Sequence, residues 1–141
     1  MRLTTGKLAL RAIIVVGVLA VAPSAYAAKG GGKSGGGSGG GSVRVVNVTA
    51  PGTAPSHGQT ITFSVTSSAS QPYVQLNCFQ GGSIVYSHQA GFYAGYPWSH
   101  NYVLSSNSWV SGSAACTATL EHNSNRGTTV TDATLNFTVN A

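Results

Sequence analysis

The chain has 141 residues, 42% of them hydrophobic and only 6% charged, with 7 Lys and Arg against 2 Asp and Glu for a formal net charge of +5. Two carboxylates exclude sites built from several acids, an oxygen cage for calcium above all. The cations are scattered rather than striped, which excludes a nucleic-acid surface relying on clustered Lys and Arg to release phosphate counterions.

Arg2, Lys7 and Arg11 lead into the apolar run Ala12 to Ala22, followed by Pro23-Ser24-Ala25-Tyr26-Ala27. The run is too short to cross a bilayer of about 30 Å comfortably, and the small residues Ala25 and Ala27 fit a peptidase site. Residues 1–27 therefore read as a secretory signal cleaved after Ala27. No second apolar span follows, so no stable membrane insertion is expected after cleavage. Loss of residues 1–27 removes three cations and neither acid, lowering the formal charge from +5 to +2.

Residues 28–42 are Gly, Ser, Lys and one Ala, with nothing to build a core. A flexible linker of this length spans roughly 20 Å on average. Residues 43–141 then show short alternating apolar runs separated by turn residues, the pattern of an all-β domain; no window sustains a helical period. Val43–Thr49 is the first expected strand, closed by Pro51-Gly52 and Pro55. Thr60–Thr66 follows with Ile61, Phe63 and Val65 on one face. Tyr73–Gln80 places Val74, Leu76 and Cys78 together, and Gly81-Gly82 turns it into Ser83–His88. A weak strand lies around Asn101–Leu104. Ala114, Cys116, Ala118 and Leu120 share a face of the sixth strand. Beyond the Asn123-Ser124-Asn125-Arg126-Gly127 turn, so do Ala133, Leu135, Phe137 and Val139 of the seventh.

Cys78 and Cys116 are the only cysteines, one on the third strand and one on the sixth, both toward the core. Export and the even count predict a disulfide rather than two buried thiols. Closing a 38-residue separation is worth about 4 kcal/mol in the chain-entropy account.

Through its seven strands, Gly58-Gln59-Thr60-Ile61-Thr62-Phe63-Ser64-Val65 and Ala115-Cys116-Thr117-Ala118-Thr119-Leu120, the domain resembles bacterial immunoglobulin-like or fibronectin-type-III-like modules of secreted, surface and virion proteins. The resemblance implies a seven-stranded β-sandwich in which the third and sixth strands are neighbours. It departs from antibody domains, which bridge the second and sixth strands and carry tyrosine two residues before the second cysteine, where Ala114 stands here. Resemblance of fold carries no activity with it.

Gly91-Phe92-Tyr93-Ala94-Gly95-Tyr96-Pro97-Trp98-Ser99-His100 is four-tenths aromatic and falls between the fourth and fifth strands. Phe92, Tyr93, Tyr96 and Trp98 are the candidate ligand-binding residues, because rings stack on sugar C–H faces while tyrosine hydroxyls and indole N–H groups bond to sugar hydroxyls. The competing expectation is that Phe92 and Trp98 plug one end of the sandwich, with Pro97 fixing a turn through a trans or a cis bond. Trp109 reads as core.

Catalytic signals are sparse. Glu121 and Asp132 flank one hairpin and are expected on its solvated edge, and no Gly-x-Ser-x-Gly elbow occurs. His57, His88, His100 and His122 lack paired metal spacing, His88 and His100 being the best pair; no metal or cofactor is expected. Asn47-Val48-Thr49 and Asn136-Phe137-Thr138 match the glycosylation sequon but lie within strands. The expectation is a monomeric, secreted or envelope-associated module, not an enzyme, that binds an extracellular glycan or protein. The alternatives are a structural subunit of an envelope or extracellular matrix, assembled through exposed edge strands, and a small secreted hydrolase inhibitor.

Overall fold

The computed structural model describes residues 40–141; the expected signal and all but the last three residues of the expected linker lie outside the described residues. Seven strands follow one another: β1(Ser42–Asn47), β2(Thr60–Thr66), β3(Tyr73–Gln80), β4(Ser83–Gly91), β5(Tyr102–Val103), β6(Ala114–Asn123) and β7(Thr129–Val139). They form two antiparallel sheets, β1-β2-β5 and β4-β3-β6-β7, and no helix occurs among the described residues. The all-β, seven-stranded sandwich legible in the alternation is the fold.

Three boundaries differ from the sequence pattern, each for a local reason. β1 stops at Asn47 because the N–H groups of Val48 and Thr49 both turn to the Thr60 carbonyl, at 3.0 and 3.3 Å. β5 shrinks to two residues opposite Thr60 and Ile61. β4 runs on past His88 because Gln89, Ala90 and Gly91 stay in register with Gln75, Val74 and Tyr73.

Cross-strand register sets rows of side chains across the four-stranded sheet. Ala90, Val74, Leu120 and Ala133 form one inner row, and Tyr86, Cys78, Cys116 and Phe137 another. These rows pack against Val43, Ile61 and Phe63 of the facing sheet. Full burial of an Ile, Leu or Phe is worth about 1.5–3 kcal/mol, so this layer is the main source of stability. The intervening residues face outward: Gln89, Gln75, Thr119 and Thr134 form one row, and Ser87, Asn77, Thr117 and Asn136 the next.

Cys78 and Cys116 stand directly opposite each other on adjacent strands, their Cα atoms 4.0 Å apart, and are joined as the expected disulfide. Tyr102 ties the sheets together. Its ring meets Phe63 edge-on at 5.1 Å, and its hydroxyl donates to the Val74 carbonyl of the opposite sheet at 2.9 Å. Trp109 lies in the core as expected, 5% exposed, with its indole N–H donating to the Gly112 carbonyl.

Replacing both Cys78 and Cys116 by alanine is expected to lower unfolding free energy by about 2–4 kcal/mol, read from denaturant midpoints. A loss below about 0.5 kcal/mol would show that the row packs as well without its covalent link. Burial pushes the Tyr86 phenol up to about 12 and raises that of Tyr102 as well. The folded state thus holds these protons more tightly than the unfolded chain. Stability is complete below about pH 10 and falls as pH rises toward 12. Urea midpoints that stay level across that window would contradict the burial of both hydroxyls.

Candidate ligand-binding groove

The aromatic segment leaves the sheet at Gly91, the buried last residue of β4, opposite Tyr73. A side chain here has no room. A Cβ on Gly91 would lie 2.6 Å from Tyr93 Cε1, 2.6 Å from Tyr96 Cδ2 and 2.8 Å from Tyr96 Cε2, so both tyrosine rings rest directly on the backbone. The Phe92 N–H bonds to the Pro72 carbonyl at 2.7 Å, and the Tyr96 N–H closes a turn on the Tyr93 carbonyl at 3.2 Å. Gly95 occupies the third position of that turn with a φ of 84°. That is the left-handed conformation a type II turn requires there. No cis peptide bond occurs among the described residues, so the Tyr96–Pro97 bond is trans, and Pro97 follows the Ala94-Gly95 turn rather than forming it.

The rings then sort themselves. Phe92 is half-buried and packs edge-on against core Phe63, with His100 against its other side at 5.0 Å. Tyr96 is the hub: Tyr93, Trp98 and His100 each meet it edge-to-face, at 5.4, 5.3 and 5.4 Å. Such contacts are worth about 0.5–1.5 kcal/mol each beyond area burial and hold the rings as a unit. The Thr62 hydroxyl donates to the His100 carbonyl at 2.8 Å, pinning the end of the segment to β2. Trp98 is 70% exposed, so it does not plug the sandwich; Phe92 takes the inward position alone.

Tyr93, Tyr96 and Trp98 form one wall of an open groove of about 320 Å³, with Tyr73 and the amides of Gln71, Gln89 and Asn123 completing it. Phe92 supports this wall from behind without lining the groove. The groove residues outside the aromatic segment were not singled out by sequence. Tyr73 had a faint signal, as an outward position of a strand whose inward positions are Val74, Leu76 and Cys78. Gln71, Gln89 and Asn123 had none, because only strand register and loop placement bring them to the same end.

One expectation is corrected. Asp132 is not on a solvated edge: its side chain is 4% exposed. β6 and β7 shift register at Leu120/Glu121, where Leu120 pairs with Ala133 and Glu121 with Thr131, leaving Asp132 as the unpaired bulge residue. A bulge re-aims the side chain it displaces. The buried carboxylate is met by His122 Nδ1 at 2.9 Å and accepts from the Ser67 hydroxyl at 3.3 Å. Glu121 stays on the outer face, half-buried. His88 and His100 serve aromatic packing, against Tyr102 and against Phe92 and Tyr96. Groups of three or more His, Cys, Asp or Glu able to hold a metal are absent among the described residues.

Comparison with protein-family models, curated proteins and solved structures found no match for this chain. Among the described residues, no helix is long and apolar enough to cross a membrane.

Changing Gly91 to alanine is expected to swing the Tyr93 and Tyr96 rings off the backbone while the sheets remain folded. The near-ultraviolet circular dichroism of the aromatic cluster should change, with a stability loss of about 1–3 kcal/mol from overpacking. An unchanged aromatic spectrum would mean that the rings do not depend on the bare backbone.

Proposed function

We propose that this protein is an exported, non-catalytic recognition module that holds a glycan against the Tyr93, Tyr96 and Trp98 wall. The observation carrying this reading is the exposure of Trp98 on a pre-assembled edge-to-face ring cluster, beside a groove whose other side chains are largely amides. The rings offer apolar faces for sugar C–H groups. Gln71, Gln89 and Asn123 each present an acceptor and two donors, suited to hydroxyl pairs. Mutually packed rings and a tight turn keep the entropy lost on binding small.

Export is part of the proposal. It is supported by the Arg2, Lys7 and Arg11 region with its apolar run, and by the Cys78–Cys116 disulfide, a bond that persists in oxidising compartments. The non-catalytic reading rests on the state of the two carboxylates: Asp132 is engaged by His122 and Ser67 in the interior, and Glu121 lines neither the aromatic groove nor its neighbouring cleft. The strand orders β1-β2-β5 and β4-β3-β6-β7, with the bridge between neighbouring β3 and β6, support kinship with immunoglobulin-like or fibronectin-type-III-like modules.

The test is retention of the oxidised protein on insoluble polysaccharides and envelope fractions, beside a variant with Tyr93, Tyr96 and Trp98 changed to alanine. The variant must show wild-type strand content and cooperative unfolding. Wild-type retention, reduced by about tenfold or more in the variant, is expected, given about 1–3 kcal/mol carried by stacked rings and their hydrogen bonds. Retention of neither would move the assignment to assembly through the edges formed by β4 and β7.

A further inference from the structure

We propose that the groove continues into a second subsite between the β2–β3 and β6–β7 loops, so that the protein binds a run of several units of a neutral polysaccharide rather than a single sugar. This rests on the glycan reading above and specifies its ligand. An open cleft of about 430 Å³ lies between those loops, bordered by Ser68 and Ser70 on one side and by His122, Ser124 and Asn125 on the other. Gln71 and Asn123 line both this cleft and the aromatic groove, so the two meet along a shared border. Each volume falls in the lower part of the roughly 300–1,000 Å³ range of small-molecule sites, and a ligand crossing both occupies more than either holds.

The chemistry of the cleft selects the ligand. Its lining is hydroxyls and amides with one imidazole, His122, and a single apolar side chain, Ala69, so it offers hydrogen bonds without an apolar pocket for a peptide anchor. No Lys, Arg, Asp or Glu lines either depression; Glu121 and Arg126 are close in sequence but contribute to neither. An anionic polymer would find no cation there, and a cationic one no carboxylate. His122 is the one titratable group in the cleft, and its Nδ1 is committed to Asp132 Oδ2. A chain of uncharged sugars is what hydroxyl and amide walls satisfy, with the ring wall fixing one end of the bound stretch.

Both loops are braced before any ligand arrives. The Ser67 hydroxyl donates to Asp132 and accepts the Ala69 N–H at 3.1 Å, while Ser124 and Thr128 join through their hydroxyls at 2.7 Å and through backbone at 2.8 Å. Loops held this way lose little freedom on binding.

The experiment is calorimetric titration of the oxidised protein with cello-, xylo-, manno- and N-acetylchito-oligosaccharides from monomer to hexamer, for wild type and a Ser70→Ala/Asn125→Ala variant. For the sugar that binds, the hexamer is expected to bind about tenfold or more tightly than the dimer. In the variant the ratio of the two affinities should fall toward one. Equal affinity of dimer and hexamer, or a ratio that survives in the variant, would overturn the second subsite and leave the aromatic groove reading standing. Absence of binding by every oligosaccharide and by the insoluble polysaccharides would overturn both. Tighter binding of a uronic-acid or sulfated polymer, or of a proline-rich peptide, would overturn the neutral-chain assignment.

Discussion

The two-residue pleat of β3 is the constraint on which the rest of this domain depends. It sends Val74, Leu76 and Cys78 inward, where they meet Leu120, Ala118 and Cys116 of β6, and it sends Tyr73, Gln75 and Asn77 outward. One residue of slip would exchange the two sets, placing amides against Ile61 and Phe63 and apolar groups in water. The Cys78–Cys116 bond joins facing positions next to the Phe79/Ala115 end of this pairing and so opposes any such slip. The same register lays Gly91 beside Tyr73, and thus fixes where the aromatic segment leaves the sheet.

From that exit point the site is built by what is missing as much as by what is present. The bare backbone of Gly91 gives Tyr93 and Tyr96 a flat seat, and the turn at Gly95 folds the second ring back over the first. Phe92 and His100 then connect the rings to Phe63 and to the β2 hydroxyl of Thr62. The exposed wall is therefore continuous with the core, which explains how a large part of Trp98 can remain in solvent while its position stays defined. With so few charged residues, the outer face of the four-stranded sheet carries rows of hydroxyls and amides and is poorly suited to electrostatic steering.

Much of this was legible in the chain because alternation is a local signal. Ile61/Phe63/Val65 and Ala114/Cys116/Ala118/Leu120 report strand and face without reference to anything else, and the cysteines follow from their places on those faces. The aromatic segment was legible as composition, and an inward Phe92 was one of its readings, yet the split that turns Phe92 inward and Trp98 outward was not. That sorting depends on a contact between the rings and the Gly91 backbone and on a turn whose type is set by one φ angle. Asp132 was misplaced for a related reason: a bulge shifts register by one residue between Leu120 and Glu121, and a period-two reading carries straight through it. Gln71, Gln89 and Asn123 come from three separate segments, and nothing local marks them as neighbours.

The two indoles offer the most direct test of the central claim, that the Tyr93, Tyr96 and Trp98 wall is the recognition surface. Trp98 is exposed on the wall, whereas Trp109 is buried and its N–H is held by the Gly112 carbonyl. Their two indole N–H resonances in a nitrogen-labelled sample can be followed as a retained polysaccharide's soluble oligomer is added. The account predicts that the Trp98 signal shifts in a saturable manner while the Trp109 signal stays in place. A bound oligomer that leaves Trp98 unmoved would contradict it.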